Sequence, residues 1–178
     1  DHHGIREDGL IPKADVVVDP SAIEGSEFDH STANQGGVIF IEGKDAVIDT
    51  SSFANSSSKS SGGSIYVKGD EATIMRSTFE SITAGSNGGA IYVDQANLTI
   101  IDSNLSKNKA DGNEGGAIYN NEGTVTLNNT IFSNNEASTP GGAIYNEGQL
   151  TVIKSTFKGN RAKNYGGAIS IWAGHVNI

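Results

Sequence analysis

Short runs in which apolar and polar residues alternate return along this chain at a nearly fixed interval. Between Gly88 and Gly115 the order is Ala90-Ile91-Tyr92-Val93, a polar turn, Leu98-Thr99-Ile100-Ile101, a second turn, Ser103-Asn104-Leu105, and a polar loop to the next glycines. Alternation with period two marks strands, and the turn residues between them mark corners, so the unit predicts three strands. A Gly-Gly pair, a small residue and isoleucine open each unit, at Gly36, Gly62, Gly88, Gly115, Gly141 and Gly166, in steps of 26, 26, 27, 26 and 25 residues. Self-similarity at this period marks a solenoid, whose units bury their apolar faces only against one another. No stretch has helical periodicity, so equivalent strands must stack in parallel, about 4.8 Å apart.

Alternation also assigns faces. Ile39, Ile65, Ile91, Ile118, Ile144 and Ile169 point inward from the first strand. The second strand contributes the inward pairs Ala46/Ile48, Ala72/Ile74, Leu98/Ile100, Val125/Leu127, Leu150/Val152 and Val176/Ile178. The third contributes Phe28, Phe53, Phe79, Leu105, Phe132 and Phe157. A hydroxyl lies two residues before each of these (Ser26, Ser51, Ser77, Ser103, Thr130, Ser155), which predicts an internal hydrogen-bonded stack. Without partners such buried hydroxyls would cost about 1–3 kcal/mol each. Asn108, Asn135 and Asn160 recur three residues after the large inward residue, predicting a half-formed amide ladder. Ile23 and Val16-Val17-Val18 extend the register backwards to about Ala14. The predicted fold is all-β: a right-handed, single-stranded parallel β-helix (β-solenoid) with three strands per coil, about 26 residues per coil and six to seven coils. It spans residues 14–178, after an acidic N-terminal segment 1–13.

Gly-Gly-Ala-Ile paired with Phe-x-x-Asn, complete at Gly115–Ile118 with Phe132–Asn135 and at Gly141–Ile144 with Phe157–Asn160, resembles the repeats of chlamydial-type polymorphic outer membrane proteins. Similar repeats mark adhesin-like surface proteins of bacteria and methanogenic archaea. The resemblance covers about residues 23–178, with Leu105 replacing phenylalanine in one coil and the asparagine missing from the earlier ones. It implies a secreted, surface-displayed or adhesive role, but fold alone licenses no activity.

Composition narrows the setting. The net charge is −9, and residues 1–35 hold −6 of it, eight acids against Arg6 and Lys13. With no basic patch, nucleic acid is not an expected partner. No apolar run is long enough to cross a membrane as a helix, so membrane insertion is not expected. Cysteine is absent, which removes disulfides and thiolate metal sites. The chain lacks an initiating methionine and a signal-like apolar stretch, so it starts at a processing site or a cloned boundary; a processed, extracellular or cell-surface chain is favoured.

Candidate chemistry is sparse. The outward residue after each core isoleucine is Phe40, Tyr66, Tyr92, Tyr119 and Tyr145 in successive coils. This stripe suits a glycan or protein ligand, or simply stabilises the stack as cross-strand aromatic pairs do. Thr73, Thr99, Thr126 and Thr151, flanked by Val47 and Asn177, form one outward row; ice binding would want two matched rows, and β-propensity explains one. Asp1-His2-His3 with a free amine would chelate Cu(II) or Ni(II), or is a processing or cloning remnant; His30 and His175 suggest no cluster. Asp111-Gly112-Asn113-Glu114 is an acidic turn of the kind that holds calcium, but it is a single loop. Outward charges change from coil to coil, with Asp94 between Lys68 and Asn121, so no catalytic carboxylate pair converges. The chain is expected to be no enzyme, with no catalytic residues, cofactor or metal; a polysaccharide-active enzyme is the weaker alternative. Asn55, Asn97, Asn104 and Asn128 begin Asn-x-Ser/Thr sequons.

Solenoids close with atypical capping units. Here the sequence stops inside the second strand, at Val176-Asn177-Ile178 with Trp172 just before it, and no capping unit is expected from these residues. Either the chain is part of a longer adhesin stalk, or another copy completes the coil in head-to-tail polymerisation. The assembly interface is then expected at Val16 and Val18 at one end and Trp172, Val176 and Ile178 at the other, with the filament favoured over the stalk.

Overall fold

The structure is a computed structural model that describes the backbone of residues 16–18 and all of residues 22–178. Segment 1–13 and Asp1-His2-His3 lie outside the described residues. Every described strand pairs in parallel with the strand one coil before or after it, Ile91↔Ile65 and Ile91↔Ile118 for example. The result is two sheets of seven strands and two of six running the length of the rod. One coil reads Ile91–Asp94, Asn97–Ile101, Asn104–Ser106 and Lys109–Ala110.

The first three strands are those expected. The fourth, two residues long, lies in what reads as a polar loop in the sequence. Its single inward residue is small in every coil (Ala33, Ser58, Ala84, Ala110, Ala137, Ala162), so it leaves no alternation to detect. The small residue is needed because the glycine corner packs directly on this strand. A Cβ on Gly89 would drive into the Gly116 carbonyl oxygen in the next coil and lie 2.6 Å from the Lys109 carbonyl carbon. Gly88, immediately before it, has φ +66°, a left-handed conformation that glycine adopts without a Cβ penalty.

The other corners use ordinary residues in the same conformation. Between the second and third sheets stand Thr50, Arg76, Asp102, Asn129 and Lys154, with φ between 47° and 50°. Left-handed backbone at such residues costs about 1–3 kcal/mol each and persists only where surroundings over-determine it. The next residue supplies that restraint. Ser77 Oγ accepts from the Ser51 N–H at 3.1 Å and donates to the Met75 carbonyl at 2.8 Å; Ser51 and Ser103 repeat the pattern. The expected hydroxyl stack therefore exists, with backbone groups rather than neighbouring hydroxyls as its partners.

After the third strand the asparagine ladder does the same. Asn108 Nδ2 donates to Asn135 Oδ1 at 3.0 Å and Asn135 Nδ2 to Asn160 Oδ1 at 2.9 Å. Each of these Oδ1 atoms also accepts the backbone N–H one coil earlier, at 3.0 Å. In an earlier coil Ser56 substitutes, accepting from the Ser31 N–H at 3.3 Å. A second amide pair had no expectation attached. Asn120 and Asn146 are fully buried in the row of Ile41, Val67 and Val93, with Asn120 Nδ2 donating to Asn146 Oδ1 at 2.7 Å. Asn120 and Asn146 also satisfy the tight turns at Gly123 and Gly148.

The interior is one continuous cluster. Ile39, Ile65, Ile91, Ile118 and Ile144 are completely buried, as expected from alternation. Phe53 and Phe79 stack with centroids 4.6 Å apart, and Phe132 and Phe157 at 4.9 Å, separated by Leu105. A Cβ on Gly116 would lie 2.6 Å from the Glu136 carbonyl oxygen and strike the Gly142 carbonyl, both backbone. Gly116→Ala is therefore expected to lose about 3 kcal/mol or more in urea unfolding. Gly25→Ala, with φ +60° and nothing within 4 Å of the added carbon, should lose about 1 kcal/mol. Equal losses would contradict the close-approach explanation.

Candidate functional site

The aromatic stripe is stacked, and it is covered. Ring centroids of Phe40, Tyr66, Tyr92, Tyr119 and Tyr145 follow one another at 4.9, 5.0, 5.1 and 5.0 Å. Phe40 is 1% exposed, Tyr66 7%, Tyr119 8% and Tyr145 6%. The rings lie outside the main core, where alternation places them, yet below the surface. The glycine corners cause this by bringing backbone over the next coil: a Cβ on Gly62 would lie 3.3 Å from Tyr92 Cβ. The stripe thus forms a satellite core with its polar tips held by acids. Tyr66 Oη donates to Asp94 Oδ2 at 2.9 Å, and Glu147 lies near enough to Tyr119 and Tyr145 to raise both phenols.

The residues proposed for assembly fall at opposite ends. Trp172 is 77% and Ile178 86% exposed, while Val176 is half-buried, pairs with Leu150 and packs against the core. The backbone of Val16 and Val18 pairs with Ile39 and Ile41 in the first coil. Thr73, Thr99, Thr126 and Thr151 stand in register in a single half-buried row.

Shallow clefts line the outside of the described residues. One of about 460 Å³ is bounded by Thr32, Asn34, Ser57 and Lys59. A second, about 410 Å³, is bounded by Lys109, Glu136, Arg161 and Lys163. A third, about 370 Å³, is bounded by Arg76, Asp102, Asn129 and Ile131. Each contains at most one carboxylate, so none pairs two acids as glycoside hydrolysis requires. Among the described residues no group of three or more His, Asp or Glu side chains is placed to hold a metal. His30 sits by Asp29 at 2.9 Å, and Asp111 of the acidic turn is paired with Lys109 at 3.2 Å. No helix of the described residues is long and apolar enough to cross a membrane.

The outer charges instead pair from coil to coil, which outward alternation alone did not reveal. Arg76 Nε donates to Asp49 Oδ1 at 2.9 Å, Lys107 meets Glu80 at 3.4 Å, and Asn129 Nδ2 donates to Asp102 Oδ1 at 2.7 Å. Arg76 thereby holds Asp49 below the ordinary carboxylate range.

Residues 16–178 match the family model described as the right handed beta helix region. The chain belongs to this family. No curated protein and no solved structure matches it. As a right-handed β-helix it shares its architecture with enzymes and non-enzymes alike, so function rests on the residues above.

The covered phenols predict an alkaline limit. Burial, followed by neighbouring carboxylates, pushes Tyr92 and Tyr145 up to about 12 and raises Tyr66 and Tyr119 as well. In the unfolded chain tyrosine ionises near pH 10. Above that pH the unfolded state releases protons the folded state keeps, so stability is full below pH 10 and falls as pH rises toward 12. Phenolate absorbance from these tyrosines is expected to rise together with loss of near-ultraviolet dichroism. Full ionisation near pH 10 with the fold intact would contradict it.

Proposed function

We propose that this chain is a non-catalytic structural rod of the cell exterior whose copies stack head to tail, coil on coil, into a surface filament. One observation carries the reading: the coil keeps the same rows from the first described coil to the last, and the first two sheets run one strand further than the other two, leaving a coil half built. Ile23, Phe28 and Ala33 of the first coil occupy the same rows as Val152, Phe157 and Ala162 of the last coil with all four strands. A coaxial second copy therefore offers Ile169–Ile171 and His175–Asn177 the kind of neighbour the same two sheets already have inside the rod. Such a contact joins two different surfaces, does not close, and builds an open fibre. Trp172 and Ile178 add exposed apolar area to that contact.

The exterior setting is supported by the resemblance to displayed passenger repeats and by outward rows rich in threonine, serine and asparagine. The non-catalytic reading is supported by surface acids that pair singly with cations or amides of adjacent coils. Purified protein is expected to form unbranched filaments of uniform width in negative-stain electron microscopy, with a sedimentation coefficient that rises with concentration. Ile178→Asp, at an exposed position, should lower the polymer fraction severalfold while leaving thermal unfolding unchanged. Monodisperse rods at every concentration would overturn stacking and favour the repeat stalk of a surface adhesin.

A further inference from the structure

Charge on this molecule is sorted along the rod. In the first coil Glu24, Glu27 and Asp29 are exposed, and no lysine or arginine lies between residues 22 and 33. From Gly148 onward the chain has Lys154, Lys158, Arg161 and Lys163 and no acid at all. All four cations are exposed. The two groups also share a wall. Asp29 and Lys158 stand at opposite ends of one row of the third sheet, and Thr32 and Arg161 at opposite ends of one row of the fourth. The cationic end includes the cleft of about 410 Å³ lined by Lys109, Glu136, Arg161 and Lys163, in which Glu136 is the only acid. A protein of net charge −9 thus keeps a positive wall at one end and a negative coil at the other.

We infer that the cationic wall formed by Lys158, Arg161 and Lys163 is a recognition surface for the acidic first coil of a second copy of this chain. The inference rests on the stacking reading and adds what orients it. A copy that continues the first two sheets brings its Glu27 and Asp29 onto the wall that carries Lys158 and Arg161, two strand spacings or about 10 Å beyond them. A copy approaching with the wrong end first places like charges together. Cross-coil pairing of this type is already built inside the rod, at Arg76 with Asp49 and at Lys107 with Glu80. Exposed pairs of this kind govern encounter and orientation more than final affinity, and salt screens them over about 8–10 Å.

The test follows assembly of the whole chain by light scattering and sedimentation between low and high sodium chloride. Four samples are compared: the wild type, R161E/K163E, E27K/D29K, and an equimolar mixture of the two variants. All the substituted positions are exposed, so circular dichroism and thermal unfolding should match the wild type. The wild-type critical concentration is expected to rise at least tenfold with salt, and each variant alone should show a similar rise at low salt. The mixture should recover assembly to within about threefold of the wild type, because every junction in it again joins opposite charges. Assembly indifferent to salt and to both variants would remove the inference and leave stacking standing, as would variants that fail but are not rescued in the mixture. A wild type that stays monomeric at low salt removes the stacking reading itself, before any variant is compared.

Discussion

Each coil is satisfied only by the coils beside it. A strand of two to five residues has no stability alone, and here every described strand takes its hydrogen bonds from equivalents 23 to 27 positions away. That parallel register is the constraint from which the rest follows. It fixes the coil length, stacks like residues on like, and makes any side chain that suits one level suitable at the next. It also makes close approach unavoidable where the chain doubles back. The second glycine of the first five pairs (Gly37, Gly63, Gly89, Gly116 and Gly142) lies between a strand of its own coil and the backbone of the next, and no side chain could share that space.

Much of this was legible in the sequence because the rows are chemically plain. Period-two alternation placed the isoleucines, phenylalanines and paired aliphatics inside, and the glycine interval placed the corners. The fourth strand was not legible, since two residues with one small inward side chain carry no periodic signal. Asn120 and Asn146 were missed for a related reason. They occupy an inward position, but an amide there reads as a turn residue until the glycines of the adjacent corners are seen to accept and donate to it. For the tyrosines, alternation correctly put the rings on the outer side of the first sheet. Alternation carries no information about what folds over that side, so a stripe that looks displayed in sequence is sheltered in the structure.

The absence of alternation in charge was equally informative. Regular outward rows are occupied by whichever short polar residue fits, whereas ionised groups are placed one at a time and tied to the neighbouring coil. A β-helix that acts on a polymer must gather acids or cations along one groove. Here the described acids are spread along the rod, and several are tied to a cation or amide of the adjacent coil.

The buried amide columns run in one direction. Asn108 passes its Nδ2–H to Asn135, Asn135 to Asn160, and Asn120 to Asn146, always toward the higher residue number. The carboxamide dipoles are therefore aligned, with oxygens toward the acidic end and amide hydrogens toward the basic one. Asn108, Asn120, Asn135 and Asn146 are fully buried, so the polarity of these columns is set inside the coil and not by the solvent that bathes the surface charges.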